Sequence, residues 1–147
     1  MASDVFEKGR IPLFKGNCLC GVVSFEAAGE IKSVTHCHCS MCRKHHGAAY
    51  ATFVGMLSAD VTIQGEEQLT KYQSSEPVQR CFCSHCGSSL FFLYNPVPEL
   101  IWFAAGALNE APEFEPKEHI YVGSKAPWHT ITDELPQYET YPSQSSD

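Results

Sequence analysis

The sequence predicts a mainly β fold clipped together by metal. Three observations carry this reading. Short β-branched and aromatic runs recur between Gly, Pro and polar turns, no helix-like periodicity extends beyond about ten residues, and eight cysteines gather into Cys-x-Cys and Cys-x-x-Cys groups.

In chain order, residues 1–15 form an N-terminal extension in which Glu7, Lys8 and Arg10 are scattered. Residues 16–138 form one zinc-binding domain and residues 139–147 a flexible tail. "GVVSFEAAG" (21–29) is a strand ended by Gly29, and "AAYATFVG" (48–55) is one ended by Gly55. "DVTIQG" (60–65), "LTKYQS" (69–74), "SSLFFLY" (88–94) and "LIWFAAG" (100–106) follow the same rule of β-formers bounded by turn residues. Met41–His46 supports a single helical turn, "YNPVPE" (94–99) a proline-bearing loop, and "TYPSQSSD" (140–147) a frayed end. Trp102 and Phe103, inside the apolar run 100–106, are assigned to the core.

Composition limits the function classes. A chain of 147 residues with 44% apolar residues can bury a core of its own, so metal supplements folding and does not replace it. The first 14 residues lack a basic segment with an apolar run and cleavage site, and no stretch reaches the ~18 apolar residues of a membrane span. A soluble, cytoplasmic protein with no membrane partner is expected. The net charge is −7 and no basic cluster exceeds Arg43-Lys44, which excludes the electrostatic footprint of nucleic-acid binding. In a chain of this kind the cysteine pairs favour metal over disulfides. Nothing here fixes an oligomeric state.

The cysteines divide by spacing. Cys83 and Cys86, followed by Gly87, form one half of a tetrahedral site, and Cys18 and Cys20, followed by Gly21, are the natural complement. That site would be closed and structural. Cys37, Cys39 and Cys42 remain, with Cys81. In "RCFC", Cys81 and Cys83 share a strand face, and Cys83 is committed to the first metal, so Cys81 reads as a small buried hydrophobe. The second metal would then have three protein ligands and an open position, as catalytic zinc does; closure by Cys81 is the alternative. Zinc with three thiolates carries a net negative charge, which makes it a poor generator of hydroxide and a better holder of an incoming thiol. Thiol transfer or addition to an electrophilic carbon is the chemistry that follows.

The motifs "GNCLCGVVSFEAAG", "CHCSMCRKHHGAAYATFVG", "RCFCSHCGSSLFF" and "HIYVGSKAPWHTITDELP" together resemble the glutathione-dependent formaldehyde-activating enzyme family, which includes centromere protein V-like members. The resemblance runs from about Gly16 to Pro136. It implies an Mss4-like β-tent, small β-sheets gathered around a structural four-cysteine zinc with few short helical turns. It also implies two zinc ions per chain, a structural one on Cys18, Cys20, Cys83 and Cys86 and a catalytic one on Cys37, Cys39 and Cys42. The implied activity is condensation of glutathione with formaldehyde to S-hydroxymethylglutathione, named in reverse as a carbon–sulfur lyase. The partners are then a small-molecule thiol and an aldehyde. The alternative is a non-catalytic, zinc-stabilised carrier of a glutathione adduct, or a protein-binding module.

Other residues receive roles around this centre. Arg43, Lys44 and Arg80 are candidates to pair with the two carboxylates of glutathione, or else are solvated charges. Among His36, His38, His45 and His46, most are loop or orienting residues, and His45 or His46 is the best candidate for a general base on the thiol. His119, Trp128 and Asp133 lie in the C-terminal motif. Packing of Trp128 over the sheet is the simpler account of it, and Asp133 is a surface cap with no assigned chemistry.

Overall fold

A computed structural model of the chain describes residues 13–110 and 114–142. Its elements are β1 (Leu13–Asn17), β2 (Ser24–Ala28), β3 (Ser33–Cys37), α1 (Ser40–His46), β4 (Ala51–Leu57), β5 (Val61–Gln64), β6 (Leu69–Ser75), β7 (Val78–Cys83), β8 (Ser89–Tyr94), β9 (Leu100–Ala104) and β10 (Glu118–Ile120). The fold is mainly β, as expected. One sheet has the order β1-β2-β5 and the other β10-β3-β4-β9-β8-β7-β6. Neighbours are antiparallel except β10 beside β3. No helix among the described residues is long and apolar enough to cross a membrane.

The period-2 pattern explains how the sheets pack. In β2, Phe25 and Ala27 are buried while Glu26 and Ala28 face out. Phe25 lies 5.2 Å from the Phe91 ring and 5.0 Å from Phe103, at the centre of the core between the two sheets. A Cβ at position 16 would stand 2.5 Å from the Phe25 ring, so β1 approaches this close only with glycine there.

The seven-stranded sheet buries both faces. Val34, Val54, Ile101, Phe103, Phe91 and Cys81 join the main core. The opposite face carries Cys37, Phe53, Trp102 and Phe92, which form a second cluster under α1. Phe103 and Trp102 are therefore both packed, in different clusters.

Differences from the expected elements have local causes. The strand expected from residue 21 starts at Ser24 because Cys18–Val23 is a turn, closed by the Cys18 N–H donating to Val23 O at 2.9 Å. The strand expected from 48 starts at Ala51 because α1 first ends at Gly47, whose left-handed φ of 61° stops the helix. Leu13–Lys15 of the expected extension belong to β1. Glu139 O and Thr140 O, expected in the tail, accept from Gly123 N–H at 3.1 Å and Tyr121 N–H at 2.9 Å. Residues 1–12 and 143–147 lie outside the described residues.

Candidate metal centres and the cleft beside them

The first sulfur group joins two turns far apart in sequence. Cys18 and Cys20 sit in the β1–β2 turn, Cys83 ends β7, and Cys86 lies in the turn to β8. Gly21 and Gly87 supply the φ values of 85° and 82° that these turns need. The Leu19 N–H donates to Ser88 Oγ at 2.9 Å and fastens one turn to the other. All four sulfurs lie within 4.8 Å of one another, with Cys18–Cys20 at 3.6 Å and Cys20–Cys83 at 3.8 Å.

Four sulfurs set tetrahedrally about 2.3 Å from a common centre stand about 3.8 Å apart, so this spacing fits zinc. Backbone N–H groups point at the sulfurs: Cys20 N to Cys86 Sγ at 3.4 Å, Val23 N to Cys18 Sγ at 3.4 Å and His85 N to Cys83 Sγ at 3.3 Å. Such donors favour thiolate. The Ser88 hydroxyl, with its backbone N–H, holds the Cys86 thiol down to about 5.

The second group has three sulfurs. Cys37 ends β3, Cys39 caps α1 with its sulfur accepting from Cys42 N–H at 3.3 Å, and Cys42 is buried in the first helical turn. Strand alternation puts Cys37 on the face of the second cluster, and the sulfurs of all three lie within 4.8 Å of one another. Crowding splits their acidities. Hydrogen bonds from Cys37 and Cys42 hold Cys39 down to about 2, and hydrogen bonds with Cys39 and Cys42 push the Cys37 thiol far up. Three thiolates coexist here only beside a cation, and the all-sulfur donor set suits a soft divalent one. Cys81 belongs to neither group: it is 1% exposed in the main core, where burial pushes its thiol up to about 11.

The basic candidates separate from one another. Arg80, on β7, is 3% exposed and its Nη1 donates to Cys42 Sγ at 3.5 Å. Arg43 Nε donates to Ser124 O at 3.1 Å, and Lys44 is exposed. His45 and His46 line a cleft of about 740 Å³ that reaches Leu19 and Ser88 of the four-sulfur turns. None of the three sulfurs of the second group lines it. His45 Nδ1 lies 3.1 Å from Ser89 Oγ, which also donates to His45 O at 3.2 Å, so the imidazole is held at one nitrogen. Burial, then the charge of Arg80, holds its pKa below the usual value, and burial holds His46 at about 4.

His36 and His38 lie elsewhere. His36 Nδ1 is 2.7 Å from Thr52 Oγ1, and His38 Nε2 is 2.8 Å from His119 Nδ1. His119 Nε2 in turn donates to both oxygens of Asp133 at 3.0 and 3.1 Å. Asp133 is thus the end of a chain that starts between Cys37 and Cys39, a role the sequence does not announce; no local spacing links residues 38, 119 and 133. Trp128 is 72% exposed and does not pack over the sheet. Tyr121, the non-glycine residue with positive φ at 58° among the described residues, follows β10 and packs against the second cluster. Its phenol is pushed up by burial and by Cys37 and Cys39.

Known proteins similar to this chain point to one family. The model of the family described as "Glutathione-dependent formaldehyde-activating enzyme" matches residues 13–124. An "uncharacterized lyase" of Schizosaccharomyces pombe is 31% identical over 103 residues, 67% of this chain and 74% of the relative. A Halomonas elongata protein named "Putative glutathione-dependent formaldehyde-activating enzyme" is 30% identical over 127 residues, 81% of each chain. A crystal structure of a Rhodobacter sphaeroides protein, a structural genomics target, matches with a TM-score of 0.55 and 28% identity, covering 66% of this chain and 89% of that one. With the family model matched over residues 13–124 and a relative 30% identical across 81% of each chain, the chain belongs to the glutathione-dependent formaldehyde-activating enzyme family.

Proposed function

We propose that this domain, residues 16–138, adds a small thiol to an aldehyde. The pair best supported is glutathione and formaldehyde, giving S-hydroxymethylglutathione, the reverse of a carbon–sulfur lyase step. The observation that carries the reading is a trio of convergent sulfurs, Cys37, Cys39 and Cys42, with no fourth cysteine beside it among the described residues, on the sheet face away from Cys81. The names of the S. pombe and H. elongata relatives point the same way. In this reading Cys18, Cys20, Cys83 and Cys86 hold a structural zinc and the trio holds a second. When bound there, zinc would offer an open position that takes a sulfur as its thiolate near neutral pH.

The chain's own groups then have defined tasks. In the reaction an S–C bond forms, the C=O π pair moves to oxygen, and the thiol proton ends on that oxygen. His45, fixed through Nδ1 by Ser89, leaves Nε2 to accept the thiol proton. Tyr121, packed against the cluster that holds Cys37 and Cys42, can donate its phenol proton toward the developing oxygen anion. Exposed Lys44, in the helix that carries Cys42, can meet a substrate carboxylate at the surface. Holding thiol and aldehyde together supplies much of the gain, since the two react unaided.

Cys39→Ser tests the assignment. The variant is expected to fall from two metals per chain to one, keep its far-UV spectrum, and lose the acceleration of formaldehyde–glutathione exchange seen by NMR. Unchanged second-metal content and exchange rate would overturn it, and binding of glutathione by the wild type without faster exchange would support a carrier instead.

A further inference from the structure

Arg80 is the residue whose sequence reading and surroundings diverge most. Its guanidinium is almost fully enclosed, and among the described residues no carboxylate lies within 4.0 Å of it. Nε donates to Ser74 Oγ at 3.0 Å, Nη1 donates to Cys42 Sγ at 3.5 Å, and the group lies 5.2 Å from the centroid of the Phe92 ring. A buried cation without a counter-charge is costly, and a hydroxyl and an aromatic face offset only part of that cost. The group within hydrogen-bonding reach that can carry negative charge is the sulfur of Cys42.

We propose that Arg80 is a positioning residue of the three-sulfur centre: its buried guanidinium is the fixed counter-charge that lets three thiolates, and then the sulfur of a thiol substrate, share one divalent cation. It is not a clamp for the substrate's carboxylates. The inference rests on the reading that the trio holds a metal. Three thiolates around a divalent cation leave one net negative charge, which the guanidinium cancels; a fourth sulfur then arrives at a neutral site instead of an anionic one. The strand geometry keeps the charge in place, since Arg80 pairs with Tyr72 on one side and Phe92 on the other in the interior of the sheet. The N–H···S bond to Cys42 aims it.

The test compares Arg80→Met and Arg80→Lys with the wild type by metal analysis and by cobalt titration against a competing chelator. The wild type should hold two metals. Arg80→Met should keep the four-sulfur metal and bind the second at least about ten-fold more weakly, the range seen when a group bonded to a metal ligand is removed. Arg80→Lys should recover part of that affinity, and the thiolate-to-cobalt charge-transfer band of the trio should move in both variants. Wild-type affinity in Arg80→Met, or equal losses in the Met and Lys variants, would overturn the proposal, the second because packing alone would then explain the effect. If Arg80→Met loses both metals, Arg80→Gln, which can donate to sulfur without charge, reads the same quantity, and wild-type affinity there would overturn it. A wild type with one metal per chain would sink the metal reading itself, and this inference with it.

Discussion

Replacing His119 with Phe isolates the chain that ends at Asp133. His119 is 1% exposed and His38 is fully buried, so their 2.8 Å bond is made away from water. His38 Nδ1 already has no hydrogen-bond partner among the described residues. Phe keeps an aromatic ring at the site but leaves His38 Nε2 unpaired as well, and an orphaned buried polar atom costs about 1–3 kcal/mol. Taking the middle, about 2 kcal/mol, and about 3 °C per kcal/mol for a domain of this size, Tm should fall by roughly 6 °C. Asp133→Asn, at the exposed end of the chain and still offering an oxygen, should do less. The double variant His38→Phe, His119→Phe removes both partners and should cost less than the two single losses added, because no orphan remains. Equilibrium urea unfolding of metal-loaded protein measures all four. A His119→Phe loss below that of Asp133→Asn, or strict additivity in the double variant, would refute the argument.

Two further outcomes follow from the site. Cys81→Val replaces a buried thiol held in its protonated form by an apolar group of similar size, so both metals should remain and stability should change by less than about 1.5 kcal/mol; loss of a metal by direct analysis would contradict the partition of the sulfurs. Because the His45 pKa lies below the free imidazole value of about 6.5, Nε2 should stay an acceptor as pH falls past that value, placing the acid limb of the exchange rate lower still. With metal content followed in parallel, His45→Gln should remove that limb and lower kcat/KM by about 10²-fold, and an unchanged limb would assign the proton to another group.

The fold was legible where chemistry is local. Cys83 and Cys86, or Cys39 and Cys42, are set by one turn, so spacing alone places their sulfurs together. The strands β2, β4, β5, β6, β8 and β9 announce themselves by β-branched and aromatic runs. β3 and β10 do not, because "SVTHC" and "EHI" gain their extended form from each other: His119 pairs with His36, a partner far away along the chain. The burial of Arg80 was hidden for a similar reason. Guanidinium groups are usually exposed, and only its place two residues from buried Val78 in β7 hinted at an inward face.

That strand also explains why the two centres belong to one fold. β7 turns Cys81 and Cys83 toward the main core, where Cys83 joins the four-sulfur group, and turns Arg80 to the other face, where it meets Cys42. Phe82 shares the Arg80 side and packs 5.8 Å from His45. The end of the strand is therefore fixed by the four-sulfur group, while three residues earlier it places a cation beside Cys42. In a sheet whose side chains alternate by necessity, anchoring Cys83 settles which way Arg80 must point. In the proposed reading the four-sulfur group does no chemistry, yet a one-residue slip of β7 would take the guanidinium from the trio and place a neutral side chain there.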